Sequence, residues 1–443
     1  MKITFVLPAI GKKPGEPYIG TWKMEPLTIA VLKALTPADV ECVLADDRLE
    51  LVDTDADTDL VAIVVETYTA RRAYQLADRF RARGVAVVLG GYHVTLLPSE
   101  AAQHADAIVT GNAESVWGQV VADARCGNLR ASYAGTVTAS DLVPDRSIFA
   151  GKKYLPVSLV ETGRGCGHHC EFCSIAGFYG AHYHPRSPDA VLREVESAPH
   201  KVLFFVDDNL VADRANLRAL CARLKPLKVT WAAQGTLEIA NDPELLKAMK
   251  QAGCELILIG FESVEPASLA RMGKRWSTAL GDREELVKRI HAAGIGIYAT
   301  FVLGYDGDTR ETFERTLDFA IRSNFFTTAF NHLLPFPGTP LYRRLEREDR
   351  LLSPHWWLDP DYSYGQLTFR PAQLEPQEVT QLCLSARQEF SRPAVVAARG
   401  VHAMWRGRMA MWPLFWGMNL RLGHEVDDKF DVPIGEHLDE LPK

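Results

Sequence analysis

Cysteine is scarce in this chain, at 8 of 443 residues. That excludes a disulfide scaffold, which small secreted domains use to compensate for a thin core. Long hydrophobic runs are also missing. No stretch reaches the roughly 18 apolar residues that a spanning helix needs. The richest apolar segment, 404–418, is interrupted by Arg406, Arg408 and Pro413, so no integral membrane span is expected. Positive charge is not in excess: 49 Lys and Arg stand against 56 Asp and Glu, for a formal net charge of −7. A nucleic-acid partner is therefore not expected. There is no internal repeat and no low-complexity tract. The opening run MKITFVLPAIG is too short for a secretory signal and reads as a first β-strand. The expected location is the cytoplasm.

What is present is an ordinary globular composition, 47% hydrophobic and 24% charged. The length exceeds the roughly 250–300 residues at which single cores stop growing, so two or more domains are expected. Residues 1–126 alternate short apolar runs with helical patterns. Candidate strands are Ile3–Leu7, Glu41–Leu44, Leu60–Val65, Ala86–Leu89 and Ala107–Thr110. Continuous Val/Ile/Leu runs separated by helices indicate a parallel sheet covered on both faces, a doubly wound α/β domain. Residues 127–153 read as a linker. A second series follows over 154–340, with candidate strands Pro156–Val160, Lys201–Val206, Val229–Ala233, Glu255–Ile259, Ile295–Leu303 and Thr327–Leu333. Six βα units suggest an open or closed barrel with its chemistry at the C-terminal strand ends. The remainder, 341–443, reads as loop and helix: 335–369 as a long ordered loop, 375–391 as one amphipathic helix.

Five cysteines are scattered, as buried thiols usually are. The other three, Cys166, Cys170 and Cys173, lie within eight residues in Thr162-Gly-Arg-Gly-Cys-Gly-His-His-Cys-Glu-Phe-Cys-Ser. This segment follows the first strand of the second series. Three thiolates on a glycine-containing loop can converge on a metal site, and thiolate favours zinc or iron–sulfur. A structural zinc site closes with four ligands, for which His168 or His169 is available.

The C-x3-C-x2-C spacing resembles that of the radical S-adenosylmethionine superfamily. The resemblance implies that Cys166, Cys170 and Cys173 hold three irons of a [4Fe–4S] cluster. The fourth iron would stay open to S-adenosylmethionine, with Phe172 near its adenine. It also implies cofactor contacts at successive strand ends: Asp207, Asp208 and Asn209, then Gln234, then Glu262 and Ser263, then Gly304. Asp, Asn and Gly are equally common after any strand as turn and cap residues. Arg186 is read either as a partner of the cofactor carboxylate or as part of a structural ion pair.

A doubly wound domain before such a barrel resembles the cobalamin-binding subclass. Glu66-Thr67-Tyr68-Thr69, Gly90-Gly91-Tyr92-His93-Val94-Thr95 and Gly111-Asn112-Ala113-Glu114 carry that resemblance at three strand ends. It implies cobalamin contacts at Thr67, Tyr68, Thr69, Gly90, Gly91, Tyr92, His93, Thr95, Gly111, Asn112 and Glu114. The Asp-x-His-x-x-Gly signature that supplies a lower cobalt ligand is absent, so cobalamin without a histidine ligand is expected. A domain that has lost cobalamin is the alternative. Asn331 to Pro340 also looks like this subclass and would line the substrate side of the mouth.

The implied function is a cobalamin-dependent radical enzyme that methylates an unactivated carbon of a small-molecule substrate through a 5′-deoxyadenosyl radical. Cyclisation, ring contraction or rearrangement without methyl transfer is the alternative, and a cobalamin- or redox-sensing protein a more distant one. The implied partner is an electron donor such as flavodoxin or ferredoxin. The tail cluster of Met404, Trp405, Met409, Met411, Trp412, Phe415, Trp416 and Met418 reads as a segment docked on the barrel, with a substrate lid or membrane contact as alternatives.

Overall fold

The structure is a computed structural model that describes residues 1–136, 141–405 and 412–440. It divides into two compact units. One comprises Met1–Val157, His355–Tyr364 and Asp431–Lys443; the other comprises Ser158–Pro354 and Gly365–Phe430.

The first unit is built on six parallel strands: β1 (Lys2–Leu7), β2 (Glu41–Asp46), β3 (Leu60–Val64), β4 (Ala86–Gly90), β5 (Ala107–Thr110) and β6 (Ser132–Ala134). Their order is β2-β1-β3-β4-β5-β6, the flavodoxin-like winding. The order in which strands are added reverses beside β1, so the strand ends of β1 and β3 flank the switch point where such sheets bind ligands. All five residues of β3 are buried, as a central strand covered on both faces requires. The helix Ala70–Ala82 buries Ala73, Tyr74, Leu76, Ala77 and Phe80, the spacing of one helical face. Each large apolar side chain of this kind contributes about 2 kcal/mol. The stretch read as a linker supplies the edge strand β6.

The second unit begins with β7 (Ser158–Val160) and a short antiparallel ribbon, β8 (Gly163–Gly165) with β9 (Tyr183–Pro185). Then come β10 (Val202–Phe205), β11 (Thr230–Gly235), β12 (Cys254–Glu262), β13 (Gly296–Leu303) and β14 (Thr327–His332). The parallel sheet runs β7-β10-β11-β12-β13-β14. Burial alternates along these strands. Leu203, Phe205, Trp231, Ile257, Ile259, Ile297, Phe301 and Leu303 form the core with the helices. Phe204, Gln234, Leu258, Thr300 and Val302 alternate with them and are only half-buried.

The tail covers part of that second face. Helices Pro393–Trp405 and Trp412–Lys429 bring Val396 and Phe415 against Leu256 and Phe326, with Ala232, Tyr298, Trp416 and Met418 around them. Arg399 fixes this packing: its guanidinium donates to the Phe325 and Phe326 carbonyls and lies 3.8 Å over the Phe390 ring. Residues 406–411, with Arg406, Arg408, Met409 and Met411, and the side chains of Met404, Trp405 and Trp412 lie outside the described part.

Two features depart from expectation. The supposed loop 335–369 contains the helix Pro340–Arg347, capped by Thr339, whose hydroxyl accepts from the Tyr342 N–H. Its stretch His355–Tyr364 belongs to the first unit, where Ser363–Tyr364 pairs antiparallel with Val432–Pro433.

Candidate functional site

The cysteine loop leaves β8 at the C-terminal end of β7. Two acids from the end of β10 hold its root. The buried Asp207 carboxylate accepts from the Thr162 N–H at 2.9 Å, the Thr162 hydroxyl at 2.6 Å and the Tyr183 hydroxyl at 3.0 Å. Burial still pushes its pKa up to about 6. Asp208 accepts from the Gly165 N–H at 2.9 Å. Both residues expected to meet the cofactor therefore brace the loop that carries the cysteines. Asn209 differs: it is 2% exposed, and its Oδ1 has no hydrogen-bond partner. A buried acceptor of that kind fits a donor such as an amino group.

The three cysteines are free and half-buried. Burial raises all three thiols, Cys170 to about 12. Left alone they would stay protonated; a coordinated metal removes the proton outright. Among the described residues, no three His, Cys, Asp or Glu side chains are gathered closely enough to hold one metal ion. A cluster spreads three thiolates over three irons, so it asks for a wider set than a single ion does. His168 is engaged elsewhere, stacked on Trp276 at 3.9 Å with its Nε2 3.3 Å from Glu238.

Phe172 packs on the apolar core, and Gln234 is half-buried at the end of β11. Glu262, at the end of β12, has a left-handed φ of +62° and receives the Lys274 ammonium at 2.7 Å. The Ser263 hydroxyl accepts from the Glu265 N–H, and the Gly304 N–H donates to Asp308. Arg186 is held in a buried pair with Glu194 at 2.5 Å, the structural reading of that residue.

Three anchors of the loop escape sequence reasoning. Glu171, inside the cysteine motif, receives Arg344 at 2.7 Å and the Tyr305 hydroxyl. Its N–H donates to the Met272 carbonyl at 3.0 Å. Gly273, at φ +79°, lies so close that a Cβ would stand 2.5 Å from the His169 carbonyl oxygen. Only the position of Glu171 between two cysteines could have signalled any of this.

In the first unit the predicted segments meet at the ends of β3, β4 and β5. His93 is fully buried, with Nδ1 3.3 Å from the Thr67 hydroxyl and Nε2 2.9 Å from Glu100. Glu100 also accepts from Tyr74 and Trp357. Both ring nitrogens of His93 are thus committed inside the unit. Thr95 links Gly91 and Gly111, accepting from the Gly111 N–H at 2.9 Å and donating to the Gly91 carbonyl at 3.0 Å. Gly91 lets the chain pass close to Val65, where a Cβ would stand 2.6 Å from the carbonyl oxygen. Thr69 caps Glu66, and Tyr68 packs on Trp356 and Tyr364. Gly90, Tyr92, Asn112 and Glu114 lie on the same strand-end loops, Asn112 buried and the others half-buried.

Residues 160–320 match the radical SAM superfamily profile. Bacteriochlorophyllide d C-12(1)-methyltransferase of Chlorobaculum tepidum is 29% identical over 389 residues, 84% of each chain. Bacteriochlorophyllide d C-8(2)-methyltransferase of the same organism is 28% identical over 376 residues, 79% of this chain and 82% of the relative. Among solved structures, the radical S-adenosylmethionine methyltransferase TsrM from Kitasatospora setae, with cobalamin and a [4Fe–4S] cluster bound, matches the fold with a TM-score of 0.68. That match is 15% identical and covers 94% of this chain and 99% of TsrM. A cysteine loop after the first strand of the second unit and the family match over the same residues lead to one assignment: residues 160–320 form a radical S-adenosylmethionine domain.

Proposed function

We propose that this protein is a cobalamin-dependent radical S-adenosylmethionine methyltransferase acting on an unactivated carbon of a bulky, largely apolar small molecule. The observation that carries the reading is the combination in one chain of the three-cysteine loop and a flavodoxin-like unit, with C-methyltransferase relatives matched over most of its length. When bound, the cluster supplies an electron, S-adenosylmethionine the radical and the methyl group, and cobalamin the methyl carrier.

The chain's own residues bind and orient. Cys166, Cys170 and Cys173 would hold the cluster. Asn209 Oδ1 would accept from the cofactor's amino group. The half-buried Phe204, Leu258 and Val302, with Gln234 and Thr300 among them, offer an apolar surface with a few polar contacts, which suits a large ring system. The cobalamin contacts are proposed at the loops after β3, β4 and β5. Flavodoxin or ferredoxin would donate the electron, in the reducing cytoplasm where such a cluster survives.

The test is anaerobic reconstitution with iron, sulfide and cobalamin, followed by incubation with S-adenosylmethionine, reductant and bacteriochlorophyllide d. S-adenosylhomocysteine and 5′-deoxyadenosine formed in parallel support the reading. Deoxyadenosine alone points instead to ring closure or rearrangement. Neither product, with cobalamin bound, refutes the enzyme.

A further inference from the structure

Lys274 is a buried cation that no expected cofactor contact uses. It is 6% exposed, and its ammonium reaches the Glu262 carboxylate at 2.7 Å and the Gly260 carbonyl at 3.1 Å. Burying a lysine is costly unless its charge has a use or a full set of partners. One carboxylate and one carbonyl are its hydrogen-bond acceptors, and the Trp276 ring centroid lies 5.7 Å from the ammonium.

Its surroundings supply the use. The segment Met272–Trp276 runs along the cysteine loop. The Met272 carbonyl accepts from the Glu171 N–H, Gly273 lies against His169 and Cys170, and Trp276 stacks on His168. Lys274 sits inside that seam. We infer that Lys274 is the resident counter-charge of the cysteine site, a positioning residue that raises the reduction potential of a cluster held by Cys166, Cys170 and Cys173. Glu262 and Gly260 fix where its charge lies. The inference rests on the cluster reading above.

The physical reason is simple. Reduction adds one negative charge to a centre that already carries three thiolates. A fixed cation in a low-dielectric surround favours the reduced state, and net charge near the sulfurs is one of the main determinants of cluster potential. Burial alone would lower the Lys274 pKa, but the Glu262 carboxylate outweighs it and keeps the ammonium charged.

The experiment is a redox titration of the reconstituted full chain without S-adenosylmethionine, followed by the EPR signal of the reduced cluster. Iron and sulfide content are measured on every variant. Lys274→Met removes the charge at nearly constant volume and is expected to shift the midpoint to a more negative potential with iron content unchanged. Lys274→Arg is expected to hold the wild-type midpoint. Glu262→Gln is expected to shift it positive, and the double variant Lys274→Met/Glu262→Gln to return most of the way. The inference is overturned if Lys274→Met keeps the cluster and the wild-type midpoint. It is also overturned if Lys274→Arg shifts as far as Lys274→Met, which would make geometry the cause. Should Lys274→Met lose its cluster, the Lys274→Arg and Glu262→Gln shifts decide by the same signs. A wild-type chain that takes up no iron overturns the cysteine-site reading itself, and this inference with it.

Discussion

The Glu171 carboxylate, one residue after Cys170, is gripped by the Arg344 guanidinium at 2.7 Å, and Arg344 is itself held 2.7 Å from Asp306. This grip ties the cysteine loop to the helix Pro340–Arg347 and to the turn after β13. The loop contains glycines and would otherwise be free to sample many conformations, at an ordering cost of about 1 kcal/mol or more per residue. Arg344→Ala leaves the Glu171 carboxylate without its cation, while Asp306 keeps Arg350 at 2.6 Å, and is expected to cost about 2 kcal/mol. The observable result is a several-fold loss of iron after reconstitution, with far-UV circular dichroism unchanged. Arg344→Lys, lacking the fork that meets two acids, is expected to fall between them.

A second prediction separates two glycines. Gly167 lies inside the cysteine motif, yet a Cβ there would meet nothing within 4 Å. Gly273 lies outside the motif, with φ +79° and the His169 carbonyl 2.5 Å from where a Cβ would be. Gly273→Ala is expected to cost about 1–2 kcal/mol from the backbone conformation alone, before the clash is relieved. It should sharply reduce the visible absorbance of the cluster. Gly167→Ala should leave that absorbance at the wild-type level.

In the first unit, the two committed nitrogens of His93 predict what cobalt will show. EPR of bound cobalamin should show the same axial-ligand splitting pattern in the wild type and in His93→Gln. Glu100→Ala, which strips His93, Tyr74 and Trp357 of their shared acceptor, is expected to destabilise the unit by about 2–3 kcal/mol in urea unfolding without changing that pattern.

His332 gives a pH prediction. It is 9% exposed at the end of β14, its Nε2 has no hydrogen-bond partner, and burial, helped by Arg387, pushes its pKa down to about 3. Below the ordinary histidine value the unfolded chain takes up a proton that the folded chain refuses. Stability from this group is therefore full above about pH 6.5 and is lost as pH falls towards 3, by about 1.4 kcal/mol per pH unit. His332→Phe should narrow the difference in urea midpoint between pH 8 and pH 5. An unchanged difference would mean that His332 titrates alike in both states.

Much of this architecture was legible in the chain because it is local. The β3 and β13 runs, the helical spacing of Ala70–Ala82 and the three cysteines are each carried by neighbouring residues. The parts that were not legible depend on residues far apart. Nothing near Lys274 says that its ammonium returns to Glu262, and nothing near Arg344 says that it reaches Glu171. The edge strand Ser132–Ala134 is too short to show a period. The helix Pro340–Arg347 did announce itself, through Thr339 before a proline at its first position, but the surrounding Pro, Trp and Tyr obscured it. Asp207 and Asp208 were read from the sequence as cofactor contacts at a strand end, and their residue type could not show that they also brace the cysteine loop.

The account stands or falls on the cysteine loop. Its most direct test is Mössbauer and EPR spectroscopy of the anaerobically reconstituted chain, with and without S-adenosylmethionine, beside Cys166→Ala, Cys170→Ala and Cys173→Ala. A [4Fe–4S] spectrum in the wild type that changes when S-adenosylmethionine is added, and that is lost in all three variants, is the predicted result. A cluster spectrum retained in any of the three, or one indifferent to S-adenosylmethionine, would contradict it.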